Sequence, residues 1–283
     1  MTHFAIAGLQ LELAPSNNLD QVIKKTRMTL ARFPWVQMVI VSELAICGAA
    51  PSSAEPIGSE TEKKLCALAK DLGIWLIPGS VFEKSDDKVY NTSPVINPQG
   101  EVIIRYRKMY PFYPYECGVD AGDSICIFDV PDVGRFGISI CYDLWFPEHS
   151  RALISEGAEV ILHPTLTNTQ DRDIECSIVR ATAAQQQCYV IDVNGAGDLA
   201  WGNSLLVGPE GDVIHTASTT EEVMLVEVDM ARVRRTRERG IMGLGQPLKS
   251  FRDAAHTYPQ EGMKNREAFL DKLGALDLPA RGE

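Results

Sequence analysis

Short apolar runs alternate with segments of helical periodicity along most of this chain, and that alternation limits the fold more than any other feature of the sequence. Residues 4–11 read as a strand and residues 38–42, Met-Val-Ile-Val-Ser, as a short buried one. Between them Leu19, Val22, Ile23, Met28, Leu30 and Phe33 recur on one side of a helix over 19–33, which Asn17 or Asn18 caps. Ser59, with Glu62 at the capping-box position, opens a second helix that runs to Leu72 and stops at Gly73. Residues 74–81 form the next strand. The rhythm then changes. Residues 89–96 and 101–106 flank Asn97-Pro-Gln-Gly100, and 125–130 and 134–140 flank Pro131-Asp-Val-Gly134, so both pairs read as hairpins. The second half returns to the first plan: helix 147–156, strand 160–163, helix 173–187 and strand 189–194. A hairpin of 204–207 with 213–215, turned at Gly208-Pro-Glu-Gly211, and a last strand at 223–228 complete it.

Strands that alternate with helices and carry added hairpins imply an α/β fold of mixed sheets with helices outside. No linker or low-complexity segment interrupts residues 1–240, which are expected to form one domain. Residues 241–283 read as a C-terminal tail, irregular around Gly240, Gly243, Gly245 and Pro247 and helical again near 265–273. A tail of this kind is expected to pack on a neighbouring subunit, with the stretch 243–251 available to cover the neighbour's site. At 283 residues the chain can bury its own core without metals or disulfides.

Charge narrows the partners. Asp and Glu number 38 against 27 Lys and Arg, a net charge of −11. A surface of that sign repels phosphate backbones, so no nucleic-acid partner is expected. The basic run over 232–239, containing Arg234, Arg235, Arg237 and Arg239, reads as a solvated helix face or a subunit contact. The seven cysteines are odd in number and contain no C-x-x-C pair, so neither a zinc nor an iron–sulfur metal site is expected. Lone histidines at 3, 215 and 256 show no ligand spacing. The opening Met-Thr-His-Phe-Ala-Ile-Ala-Gly lacks the basic region of a signal peptide, and no stretch approaches the roughly 18 apolar residues of a membrane span. The expectation is a reduced, cytoplasmic protein with no membrane partner, its cysteines, Cys176 and Cys188 among them, serving mainly as small buried hydrophobes.

Three segments carry the chemistry. In Gly137-Ile-Ser-Ile-Cys141-Tyr-Asp-Leu-Trp-Phe-Pro-Glu148 a strand ends in a cysteine and a helix begins a few residues later. Such a turn presents a thiol beside backbone N–H groups, which favour a thiolate and an oxyanion, although a buried structural cysteine fits the same pattern. In Val39-Ile-Val-Ser-Glu43-Leu a glutamate follows directly on a buried strand, either at a solvated strand end or in a site. In Arg105-Tyr-Arg-Lys108-Met-Tyr-Pro a lysine closes an alternating strand, where a surface lysine is the ordinary occupant. The ordered set Glu43, Lys108 and Cys141, each at a strand's C-terminal end, is more specific than any member. The C-terminal ends of strands are where an α/β sheet gathers its site. Ser139, two residues before Cys141, lacks the flanking glycines of a serine-hydrolase elbow.

With these motifs the chain resembles the nitrilase superfamily of carbon–nitrogen hydrolases. The strand-plus-glutamate motif corresponds to Glu43, the Arg-Lys motif to Lys108, and the G-x-x-x-C-Y-D-x-x-F-P-E motif to Gly137, Cys141, Tyr142, Asp143, Phe146, Pro147 and Glu148. The second glutamate of that family corresponds to Glu116, followed by Gly118 and by Gly122-Asp123. The resemblance implies an αββα sandwich of two mixed sheets flanked by helices. It further implies a thiol hydrolase without cofactor that acts on a small amide or N-carbamoyl compound, in the amidase and carbamoylase-like branch. In that reading Cys141 is the nucleophile and Glu43 the general base. Lys108 and the backbone N–H of Tyr142 stabilise the oxyanion, and Glu116 positions substrate and lysine. Tyr142, Trp145 and Thr165 are expected to bind substrate, with His163, the loop 164–166 and the aromatic stretch 110–115 near the pocket. Tyr142-Asp143, where nitrilases carry Trp-Glu, favours an amidase over a nitrilase. Thr182 stands where carbamoyl-amino-acid hydrolases carry a second arginine. A nitrilase, or a catalytically idle scaffold on the same fold, is the competing reading. The resemblance also implies a homo-oligomer, a dimer or higher, and the apolar content of 147–156 fits a subunit contact.

Overall fold

The computed structural model describes residues 3–255 and 275–276. In chain order the strands and helices are β1 (His3–Gln10), α1 (Leu19–Arg32), β2 (Met38–Val41), β3 (Glu55–Pro56), α2 (Glu60–Leu72), β4 (Trp75–Ile77), β5 (Val81–Ser85), β6 (Lys88–Ile96) and β7 (Val102–Arg107). Then come β8 (Cys126–Val130), β9 (Gly134–Ile138), α3 (Pro147–Ser155), β10 (Val160–Pro164), α4 (Arg172–Gln186) and β11 (Tyr189–Val193). The chain continues through β12 (Leu205–Val207), β13 (Val213–Thr216), β14 (Glu222–Asp229), α5 (Met230–Arg239) and α6 (Pro247–Asp253).

The strands form two mixed sheets. The first has the order β14-β1-β2-β4-β6-β5-β3, with β7 also paired to β6; the second has the order β13-β12-β11-β10-β9-β8. Each has a parallel centre, β1-β2-β4 in one and β9-β10-β11 in the other, extended by antiparallel hairpins. The period-2 alternation of side chains sorts the core into layers. Phe4 and Ile6 of β1, Met38 and Ile40 of β2, and Val160 and Leu162 of β10 meet between the sheets. Ala7, Leu9, Val39 and Val41 face outward against Leu19, Val22 and Leu30 of α1 and Leu65 and Leu68 of α2. On the far side Ile161 and Val190 pack with Leu153 of α3 and Val179 of α4. The layers therefore run helix, sheet, sheet, helix.

Two expectations need refinement, and the basic run and the start of the tail gain detail. The strand at 74–81 is two strands, β4 and β5, parted at Pro78-Gly79-Ser80, because the chain must turn where it passes the end of β2. The N-cap of the helix at 19 is Asn18, but its side chain closes the preceding loop on Ala14 and Ser16, and it is Asn17 whose Oδ1 accepts from Leu19 N at 2.8 Å. The basic run forms a helix whose Arg234, Arg235 and Arg239 are exposed, as a solvated face requires, yet several of its arginines are also paired within the chain. It is α5, and its guanidinium groups strap the chain to itself: Arg234 to Glu159, Arg232 to Glu210 and Asp212, Arg237 to the carbonyls of Ala158 and Gln187. The start of the tail is also ordered on its own chain, with Arg151 over the Phe251 ring of α6 at 4.8 Å and Leu248 against the outer core. The expected helix at 265–273 lies outside the described residues.

Gly79 sits at φ +82, and a Cβ there would lie 1.7 Å from the backbone oxygen of Ser42, the residue before Glu43. Gly73, the C-cap of α2, sits at φ +64 with open space around it. Gly73→Ala is therefore expected to cost about 1 kcal/mol from backbone conformation alone. Gly79→Ala adds a clash with an immovable carbonyl and is expected to cost at least about 3 kcal/mol. Urea unfolding of both variants checks this; equal costs would show that β2 and the loop after β4 are not in rigid contact.

Candidate active site

The candidate side chains come from both sheets and meet at the C-terminal ends of their strands. Glu43 lies one residue past Ser42 at the end of β2, Lys108 directly follows β7, and Cys141 opens the 3-10 turn Cys141–Trp145 between β9 and α3. A backbone hydrogen bond links the sheets at this point: Glu43 N donates to Thr165 O, beyond β10, at 3.2 Å.

The backbone is strained on both sides of the junction. Cys141 has φ +46 and Leu44, next to Glu43, has φ +50. A left-handed conformation costs a residue with a Cβ on the order of 1–2 kcal/mol, so surrounding bonds must enforce it. Asp143 does so for the cysteine. Its buried carboxylate accepts from Ile140 N at 2.9 Å, from the Tyr106 hydroxyl at 2.7 Å and from Tyr110 N at 2.9 Å. Tyr106 belongs to β7, so the cysteine turn is tied to the strand that delivers Lys108. Burial and the Asp143 charge hold the Tyr106 phenol well above its ordinary pKa, which keeps its hydroxyl a donor.

Lys108 is 1% exposed and held by two carboxylates, with Nζ 2.8 Å from Glu43 Oε1 and 2.7 Å from Glu116 Oε2. The Asn91 amide bridges the same two, donating to Glu43 Oε1 at 2.8 Å and to Glu116 Oε1 at 3.0 Å. Phe112 N adds a third donor to Glu116 at 2.6 Å. These bonds set the charges. Burial works against the ammonium of Lys108, but Glu43, the Cys141 sulfur and Glu116 outweigh it and hold its pKa well up. Burial likewise opposes charge on Glu116, and Lys108, Phe112 N and Asn91 overcome it, so that carboxyl falls below its usual range. For Glu43 burial wins and its pKa rises, with the Glu116 charge adding to the rise against the pull of Lys108. Burial and the Glu43 carboxylate push the Cys141 thiol well up, so the resting pair is a neutral thiol hydrogen-bonded to a carboxylate of raised basicity.

The cluster opens to solvent through two adjoining cavities. One of about 120 Å³ is bordered by Glu43, Lys108, Glu116 and Cys141; the other, about 740 Å³, starts at Cys141 and runs out past Tyr142 and Trp145. The larger volume falls in the range of small-molecule sites. Phe112, Tyr115 and Leu166 border both, so the aromatic stretch and part of the 164–166 loop lie where they were expected.

Thr165 does not. It is fully buried and borders neither cavity; its hydroxyl lies 3.2 Å from Thr167 Oγ1, donates to Glu175 Oε1 at 3.3 Å and reaches the Cys141 thiol from behind. Leu166 and Thr167 border the space, while Thr165 is turned inward onto the Thr167 hydroxyl and Glu175. His163 is buried as well, with Nδ1 3.1 Å from Ser139 O and Nε2 3.7 Å from Asp192 Oδ1, and so supports the strand end rather than the cavity. Ser139 is fully buried, away from the cavity. Cys188 is buried in the outer core, but Cys176 is only half-buried. Asn91 and Glu175 were not singled out from the sequence, and Asp143 entered there only as part of the cysteine motif. A run of Asn-Thr-Ser inside β6, where asparagine is disfavoured, is the one signal that points to Asn91. Glu175 reads in sequence as a surface partner of Arg172 one helical turn away. Among the described residues no group of histidines, cysteines and carboxylates has metal-holding geometry, and no helix is long and apolar enough to cross a membrane.

Comparison with known proteins fits this architecture. The carbon–nitrogen hydrolase profile matches residues 5–238. The omega-amidase NIT2 of Homo sapiens is 30% identical over 261 residues, 84% of this chain and 93% of that one. The omega-amidase NIT2-A of Xenopus laevis is 31% identical over 204 residues, 67% of this chain and 74% of that one. The crystal structure of Saccharomyces cerevisiae Nit3, a member of branch 10 of the nitrilase superfamily, superposes with a TM-score of 0.77 at 25% identity, covering 84% of this chain and 94% of that one. An amidase from Nesterenkonia sp. shares the fold, with a TM-score of 0.73 at 22% identity over 84% of this chain and 94% of that one. A profile that spans both sheets and relatives that align over most of their own length make the same assignment: the chain belongs to the carbon–nitrogen hydrolase family of the nitrilase superfamily.

Proposed function

We propose that this chain is a cysteine-dependent amidohydrolase that cleaves the C–N bond of a small amide or N-carbamoyl compound through a thioester, releasing ammonia or an amine. The observation that carries the reading is the thiol of Cys141, held in a strained turn at the floor of a cavity, between a carboxylate able to take its proton and a lysine fixed by two carboxylates. The omega-amidases and amidase among its relatives support an amide as substrate.

The steps balance with these groups alone. Glu43 takes the thiol proton as the sulfur attacks the carbonyl carbon. The oxygen that becomes negative is met by the Lys108 ammonium and the backbone N–H of Tyr142. As the C–N bond breaks, Glu43 returns the proton to the departing nitrogen. A water then gives a proton to Glu43 and adds to the thioester, and the C–S bond breaks to release the acid and restore the thiol. Glu116 holds Lys108 in place and keeps the cluster's second negative charge, which raises the basicity of Glu43. Thr165, proposed from sequence as a substrate contact, acts instead on the thiol from behind.

Ammonia release from a panel of aliphatic amides, N-carbamoyl amines and nitriles tests the reading. Cys141→Ala is expected to abolish release on the active class, and Glu43→Gln to lower kcat/KM by about 10²–10⁴-fold. Undiminished turnover by Cys141→Ala would refute the mechanism, and acid formation from nitriles alone would reassign the reaction.

The pH profile provides a second check. Glu43 must be ionised to accept the thiol proton, and its pKa is raised by burial above the ordinary 4.5. Activity should therefore fall as pH drops through a midpoint above that value. Glu116→Gln removes a neighbouring negative charge and should move the midpoint of the acid limb in kcat/KM downward, whatever it does to the plateau. An unmoved midpoint would mean that the limb reports another group.

A further inference from the structure

The cavity over Cys141 has a charge pattern that bears on which amide it admits. Among the described residues its lining holds no lysine, arginine or histidine, but it holds the carboxylates of Glu175 and Asp171. Its walls are aromatic: Phe112 stacks on Tyr115 at 4.9 Å and meets Tyr142 at 4.9 Å, Trp145 follows at 6.0 Å from Tyr142, and Trp201 borders the same space. Ring faces attract cations and give nothing to a carboxylate.

Lys108, at the adjoining smaller cavity, and Arg172, the partner of Glu175, are already neutralised. Lys108 is shared by Glu43 and Glu116. Arg172 is shared by Glu175, at 2.6 Å, and Asp192, and it borders the neighbouring cavity of about 440 Å³ rather than the one over Cys141. Each cation therefore sits among more negative charge than it carries. Glu175 is held in place by Thr167 at 2.8 Å and by Arg172, while its Oε1 receives one long bond from Thr165, at 3.3 Å, and retains accepting capacity. Behind burial and Glu43, the Glu175 charge also pushes the Cys141 thiol up, which places it within electrostatic reach of the sulfur.

Resting on the amidohydrolase reading above, we propose that the substrate carries a cationic group, a primary ammonium or a guanidinium, on the part of the molecule that occupies the aromatic cavity, with Glu175 and Asp171 as the residues that select it. A substrate with a carboxylate at that end would meet two acids and no unpaired base.

Three amides of matched length decide the matter: 5-aminopentanamide, pentanamide and glutaramic acid, cationic, neutral and anionic at pH 7. Ammonia release by the full chain should give kcat/KM in that order, with the cationic amide favoured over the anionic one by at least about tenfold at low salt and by less as salt rises. Glu175→Gln should shrink the cationic-to-neutral ratio and raise the relative rate of the anionic amide. Asp171→Asn, at the half-buried rim, should shift the ratios the same way and serves as the variant of record if Glu175→Gln does not fold. Hydrolysis of glutaramic acid as fast as or faster than 5-aminopentanamide, or ratios unchanged in the folded variants, would overturn the cationic class while leaving the amidohydrolase reading intact. No release from any of the three would overturn the cationic amide as substrate class, and silence across the N-carbamoyl amines as well would overturn the reading it rests on.

Discussion

One buried ammonium organises this molecule's chemistry. Lys108 has left water, and an isolated charge in that position would be unsustainable; removing one partner from a buried pair costs about 3–5 kcal/mol. The structure answers with two carboxylates, themselves bound by Asn91 and by Phe112 N, so that no member of the set can be changed without leaving another polar group stranded. The loop from Met109 to Glu116 has to fold back on β7 to deliver Glu116, and β6 has to carry a polar Asn91 among its apolar neighbours. The site is in this sense a condition on the fold as well as a product of it.

The second constraint is geometric. Cys141, hydrogen-bonded to Glu43, sits in a turn that an L-residue adopts unwillingly, at φ +46. Asp143 supplies the compensation by binding Ile140 N, the Tyr106 hydroxyl and Tyr110 N at once. Strain at Cys141 is thus opposed by a carboxylate two residues away, and the motif Cys-Tyr-Asp reads as a strained residue together with its restraint.

These facts explain what the sequence discloses. Strands β1, β2, β10 and β11 and helices α1–α4 were legible because burial on one or two faces imposes periods of 2 or 3.6 on the residues. Glu43, Lys108, Glu116 and Cys141 were legible because their motifs fix both residue type and chain order, and the structure brings their side chains together. Thr165 was misplaced because the side of an extended segment that faces a cavity depends on where that segment ends, which pattern does not record. The break at Gly79 is set by the passage of another strand, Ser42, and leaves no trace in local periodicity. Asn91 and Glu175 gain their roles from partners 25 to 48 residues away or from a cavity wall, and neither relation is written in spacing. The ion pairs of the α5 arginines are hidden for the same reason: Glu159, 75 residues distant from Arg234, cannot be paired with it by inspection.

The hydrogen bond from Glu43 N to Thr165 O marks a seam between the two sheets. Base and lysine stand on one side of it and the sulfur on the other, while β14, from the far end of the chain, closes the sheet begun by β1. A chain cut in the loop between β7 and β8 would leave Glu43 and Lys108 in one piece and Cys141 in the other. On the reading proposed above, the chemistry is in this architecture a property of the docked sandwich and of neither half.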